Sequence, residues 1–171
     1  MLWPDGPNGG ATDLGNLGGT NSNIAFYINN RGQVVGLSGV PGNIYWHAFL
    51  WTNNDGMRDL GTLPGDSYSL ANNINNKNQA VGISFPATGD GRAVIWQNGV
   101  ITDLNTLIPP GSPLYLLEAF GINDRGQIAG WGRLANGDHR AYVLSPCDEE
   151  HAHSESCEDG TGVQLFDSKR E

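Results

Sequence analysis

The residues best equipped for chemistry lie toward one end of the chain. Cys147, His151, His153 and Cys157 form a symmetric Cys-x3-His-x-His-x3-Cys set. Two thiolates and two imidazoles are the donors of a structural zinc site. Zinc-binding chains, however, usually space their cysteines by about two to four residues and their histidines by about three to five. The spacing here departs from that pattern, so no metal is expected and zinc stands as the alternative reading. Cys147 and Cys157, the only cysteines, are otherwise a disulfide pair or free thiols.

Acids and amides recur elsewhere. Asp13, Asp59 and Asp103 sit at matching places in successive segments. Glycosidase chemistry needs two carboxylates within about 5–10 Å of each other. One acid per segment reads instead as a turn or cap residue. Asn29, Asn75 and Asn123 recur in the same way. A calcium loop needs acids at alternate positions and a closing bidentate acid. Asn29-Asn30-Arg31-Gly32 has neither, and Arg31 would repel the ion. The asparagines are expected to cap the turns that follow them. His47 is replaced by Arg92 and Arg140 in the other segments, which fits a polar strand-edge residue and not a base. Ser67, Ser69 and Ser84 have no recognisable His and Asp companions, and neither HExxH nor Gly-x-Ser-x-Gly occurs. The reading is therefore no catalytic residue, no cofactor and no enzyme.

The better binding candidates are aromatic. Tyr45 and Trp46 stand in a variable loop just before a strand, and Trp131 takes the place held by Leu37 and Ile83. Aromatic rings on loops of a rigid scaffold commonly form recognition surfaces. The competing reading is that Tyr45 and Trp46 extend the core.

The elements that position these residues are written as a repeat. The step Ile28-Asn29 returns as Ile74-Asn75 after 46 residues and as Ile122-Asn123 after 48. Each is followed by Gln-x-x-Gly at Gln33–Gly36, Gln79–Gly82 and Gln127–Gly130. Next come His47–Trp51, Arg92–Trp96 and Arg140–Leu144. A period of this length marks a repeat architecture. Each unit reads as four short strands: one ending at Ile-Asn, one starting at Gln, one ending at Trp or Leu, and one ending at Asp-Leu. Asn98-Gly99 predicts a two-residue hairpin turn between two of them. No sustained helical periodicity is present. Units over about 12–51, 58–96 and 102–144, with a partial unit at 1–11, make a β-repeat domain over 1–146. Residues 147–171 form a separate acidic, cysteine-bearing tail expected to be flexible.

Four antiparallel strands in about 45 residues are the size of a propeller blade. The expected fold is all-β and propeller-like, as a partial ring, with a β-trefoil as the alternative. Open terminal strands would allow self-association through their edges. The chain opens in mid-repeat, which predicts further sequence upstream.

Composition narrows the function classes. The 171 residues carry 25 glycines, 38% hydrophobic residues and a net charge of −9. Up to Pro146 there are 10 acids and 7 bases; from Cys147 there are 8 acids and 2 bases. No basic stripe exists to neutralise phosphates, so nucleic acid is not an expected partner. No apolar run is long enough to span a membrane, and no signal peptide is visible.

Taken together, Ala25-x-x-Ile28-Asn29-x-x-Gly32-Gln33-Val34-Val35-Gly36, then His47-Ala48-Phe49-Leu50-Trp51, then Asp59-Leu60-Gly61-Thr62-Leu63, resembles the HAF-type bacterial extracellular repeat. The resemblance covers Leu2 to Leu144, and the tail from Cys147 to Cys157 is similar to the cysteine-bearing tails of some members. Departures are Gly32 replaced by Asn78, Trp51 by Leu144, and about four extra residues near Pro109–Leu117. The resemblance implies secretion and a binding or structural role with no assigned reaction. In an exported protein a lone cysteine pair is most often a disulfide, here closing a short loop for about 3 kcal/mol at most. The resulting expectation is a non-catalytic extracellular scaffold that binds protein or glycan. The alternatives are a fragment of a polysaccharide-acting propeller enzyme or a trefoil-type lectin.

Overall fold

The alternation of β-branched and aromatic residues with Gly- and Asn-rich turns builds short antiparallel strands. The computed structural model describes residues 10–42, 44–146 and 163–165. The first sheet is β1 (Ile24–Ile28), β2 (Val34–Gly39), β3 (Trp46–Thr52) and β4 (Gly56–Gly61), paired in that order. The second is β5 (Tyr68–Ile74), β6 (Ala80–Phe85), β7 (Arg92–Gln97) and β8 (Val100–Asp103). The third is β9 (Leu114–Ile122), β10 (Ile128–Leu134), β11 (His139–Pro146) and β12 (Val163–Leu165), with β12 paired to β11 as the outermost strand.

The turns follow the residue chemistry. Asn98 and Gly99 both adopt positive φ, 55° and 78°, as a primed hairpin turn requires. After each Ile-Asn step one residue is left-handed: Gly32 at 71°, Asn78 at 63° and Gly126 at 82°. Asparagine is the residue other than glycine that enters this region at low cost. A second glycine position is fixed by space. A Cβ on Gly36, Gly82 or Gly130 would lie 1.9, 2.0 or 2.1 Å from the carbonyl oxygen of Ile24, Leu70 or Glu118. The neighbouring strand comes this close beside a break in register, between Ala25 and Tyr27, Ala71 and Asn73, and Ala129 and Gly130.

The sheets stack in chain order. β5 packs against β1, β2 and β3, and β9 packs against β5, β6 and β7. Each junction encloses a core. Between the first and second sheets lie Val35, Ala48, Leu50, Leu63, Ala71, Ile74, Val94 and Trp96. Between the second and third lie Val81, Ala93, Leu104, Leu116, Ala119, Ile122, Tyr142 and Leu144.

The all-β character and the repeat survive, but the ring does not. The three sheets are separate, and no comparable packing joins the first to the third among the described residues. Their outer faces stay open instead of meeting. The propeller-like partial ring is therefore corrected to an open stack of antiparallel sheets. The trefoil alternative also needs its first and third units to meet, and falls with it. The HAF-repeat reading, where it was joined to a propeller, is corrected on the same ground. No helix among the described residues is long and apolar enough to cross a membrane.

Candidate functional site

Tyr45 and Trp46 enter the first sheet at the start of β3, where Trp46 pairs with Gly39 at the end of β2. Tyr68 opens β5 and pairs with Phe85, which closes β6. Stacking the two sheets brings all four rings together. Tyr45 meets Tyr68 edge-on at 5.3 Å between ring centres. Trp46 lies tilted on Tyr68 at 4.4 Å and edge-on to Phe85 at 6.5 Å. Tyr68 stacks on Phe85 at 5.1 Å. Trp46, Tyr68 and Phe85 are half-buried, and Tyr45 is 40% exposed. The cluster is thus both core extension and surface: its base seals the end of the junction and Tyr45 faces solvent. The indole N–H of Trp46 is enclosed with no hydrogen-bond partner. An orphaned buried donor typically costs about 1–3 kcal/mol.

Beside the rings lies a polar network. Asp66, enclosed, takes a hydrogen bond from Arg92 at 2.7 Å and another from the Ser84 hydroxyl at 2.6 Å. Ser84 in turn accepts from the Leu63 N–H at 3.0 Å. Backbone bonding between Ser67 and Phe85 ties this network to the aromatic cluster.

Trp131 does not join them. It stands on β10 opposite Glu118 and Ala141. Its indole N–H donates to Glu118 at 3.2 Å and its ring meets His139 edge-on at 4.8 Å. Sequence position alone left Tyr68 and Phe85 unnoticed. The available signal was that both are aromatic at strand ends where the other units differ.

The recurrent acids and amides hold backbone. Asp13 and Asp59 accept from the N–H two residues on, of Gly15 and Gly61, and Asp103 does the same for Asn105. Asn29, Asn75 and Asn123 accept from the N–H groups two and four residues on. Two of them do more. The Asn29 carboxamide donates to the Asn75 carbonyl at 3.0 Å, and that of Asn75 to the Asn123 carbonyl at 3.0 Å. The asparagine period is therefore a staple between sheets.

His47 and Asp59 approach to 2.8 Å across β3 and β4, and Arg92 and Asp103 to 3.8 Å at the matching place in the second sheet. The pair is thus a repeated cross-strand contact. Burial pushes the Asp59 carboxyl up, but the His47 hydrogen bond, the Gly61 N–H and the His47 charge leave it below the usual carboxylate range. Among the described residues no activated nucleophile stands beside it. Ser69, the buried hydroxyl nearby, is engaged between the Ala48 N–H and the Gly61 carbonyl. Burial and the Glu118 charge push the Tyr142 phenol up, so it stays protonated, donating to the Glu118 carbonyl.

Two of the open grooves among the described residues stand out. One of about 810 Å³ is lined by Pro109, Pro110, Ser112, Tyr115 and Arg133, using the extra residues of the third unit. The other, of about 620 Å³, lies between the first two sheets beside Asp59, Asn78 and Trp96. No cluster of His, Cys, Asp or Glu suited to a metal occurs among the described residues. The Cys147 and Cys157 pair, with His151 and His153, lies outside the described residues. No family model matches the chain, and no curated protein or solved structure is found to be similar to it.

Proposed function

We propose that the chain is a non-catalytic binding module that takes a carbohydrate ring on the Tyr45, Trp46, Tyr68 and Phe85 cluster. The observation that carries this reading is the cluster itself: four rings outside the repeat pattern gathered at one end of a two-sheet junction. Amphipathic rings offer a flat apolar face with a polar tip, which suits the C–H face and hydroxyls of a sugar. An extracellular setting belongs to the same proposal, and the oxidation state of Cys147 and Cys157 in the native protein checks it.

The test is a glycan array followed by calorimetry with the best binder. Tyr45→Ala should weaken binding about two- to tenfold, in line with the roughly 0.5–1.5 kcal/mol of one aromatic contact. Trp131→Ala should leave it unchanged. Binding that ignores Tyr45, or no glycan bound at all, contradicts the reading. Peptides bound at the same rings would reassign the site to protein recognition.

A further inference from the structure

Equivalent residues of the three units differ in burial according to whether a neighbouring sheet is present. Ile74 and Ile122 are 1% and 9% exposed against the preceding sheet, whereas Ile28, the same position in the first unit, is 61% exposed. Ala25 is exposed where Ala71 and Ala119 are buried. The opposite face shows the converse. Val35 and Val81, with Ala48 and Ala93, are fully buried by the sheet that follows. Their third-unit counterparts Ala129 and Ala141 are exposed, as is Val143, which matches the buried Leu50. In-register pairing puts Ala129 opposite Val143 and Trp131 opposite Ala141, so these residues share one open face.

The polar staple ends in the same way. The Asn29 and Asn75 amide N–H groups each donate to the carbonyl one unit on, while the Asn123 amide N–H donates within its own turn, to the Gln127 side chain. Phe120 is exposed at the position from which Asn72 reaches across to Glu118 and Ala119 of the third sheet.

We infer that the open face of the third sheet docks a second copy of this chain through the open face of that copy's first sheet. The two faces match because each is one half of a junction that the chain already makes twice, between its first and second and its second and third sheets. Ile28 of one copy would fall against Ala129, Ala141 and Val143 of another, and Asn123 would staple to the carbonyl of Asn29. The contact is head-to-tail, through faces and not through strand edges. Each added copy leaves one face of each kind open, so growth continues beyond a dimer.

The test uses the full chain in analytical ultracentrifugation over a concentration series. Wild type should show a mass that rises through dimer to larger species. Ile28→Asp removes one face and Val143→Asp the other; both positions are exposed in the single chain, so far-UV circular dichroism spectra should match wild type, and each variant alone should be monomeric. Mixed one to one, the two variants should form a heterodimer and stop there, because each retains the face that the other lacks. A wild type monomeric throughout, or a mixture that stays monomeric, overturns the inference. Association of either variant alone as strong as that of wild type overturns it too.

Discussion

Replacing Asn75 with alanine and comparing it with Asn123→Ala isolates the staple between sheets. Both side chains serve their own turn. Asn75 accepts from Lys77 and Gln79 at 2.9 and 3.0 Å and donates to the Gln79 side chain at 2.6 Å. Asn123 makes the matching contacts with Arg125 and Gln127 at 3.0, 3.0 and 2.8 Å. Only Asn75 also crosses to the next sheet, and only Asn75 is buried. In Asn123→Ala, at concentrations where the chain is monomeric, water replaces the lost acceptor, and the cost should be about 1 kcal/mol, as for a lost cap. In Asn75→Ala, the Asn123 carbonyl loses its cross-sheet donor and turn N–H groups lose a shielded acceptor. At roughly 1–3 kcal/mol for a buried group left unsatisfied, the total should reach about 3 kcal/mol. The difference of about 2 kcal/mol corresponds to roughly 4–8 °C in Tm for a chain of this size. Urea unfolding followed by tryptophan fluorescence and by far-UV circular dichroism would measure it, and coincident curves justify a two-state fit. Equal losses for the two variants would refute the staple. So would a larger loss for Asn123→Ala.

Other outcomes follow from the same structure. Gly82→Ala should destabilise by about 3 kcal/mol or more through overpacking, because the new Cβ would sit 2.0 Å from the Leu70 carbonyl oxygen. Gly121→Ala, with nothing within 4 Å, should be neutral in the same melt. Trp96→Ala should cost about 3–5 kcal/mol in urea unfolding, and Trp51→Ala distinctly less, because Trp96 is buried at a junction and Trp51 is only half-buried. The depressed Asp59 carboxyl contributes stability that is present above the unfolded carboxylate pKa and lost as pH falls through its lower folded value. Asp59→Asn should therefore flatten the acid limb of stability against pH below about 4, the ordinary carboxylate range; an unchanged limb would show that the His47 contact is not formed.

Strands and turns were legible because they depend on neighbours in sequence. Short apolar runs at repeated offsets, Asn98-Gly99 and the exchange of Gly32 for Asn78 all report local backbone geometry, and the structure places strands and left-handed turns there. The turn-capping role of the asparagines was legible for the same reason. Their second role was not, since the Asn29 to Asn75 bond spans 46 residues and exists only once sheets stack. The ring was misjudged because unit size specifies a four-stranded sheet but says nothing of whether the ends of a stack meet. At the candidate site, Tyr45 and Trp46 stood out as aromatics in a variable loop. Tyr68 and Phe85 did not, because their nearness to Trp46 depends on which face of β3 meets β5. Trp131 read as a replacement for Leu37 and Ile83, and the structure puts it at that place in the third sheet.

The central claim is that the aromatic cluster is the binding site, and the indole N–H resonances of the five tryptophans test it most directly. The full chain, labelled with ¹⁵N, would be titrated with the best glycan from the array. The account predicts that the Trp46 indole signal moves first and furthest, together with the backbone amides of Tyr45, Tyr68 and Phe85, while Trp96 and Trp131 stay in place. Shifts centred on Trp131 or Trp96, with Trp46 unmoved, would contradict it.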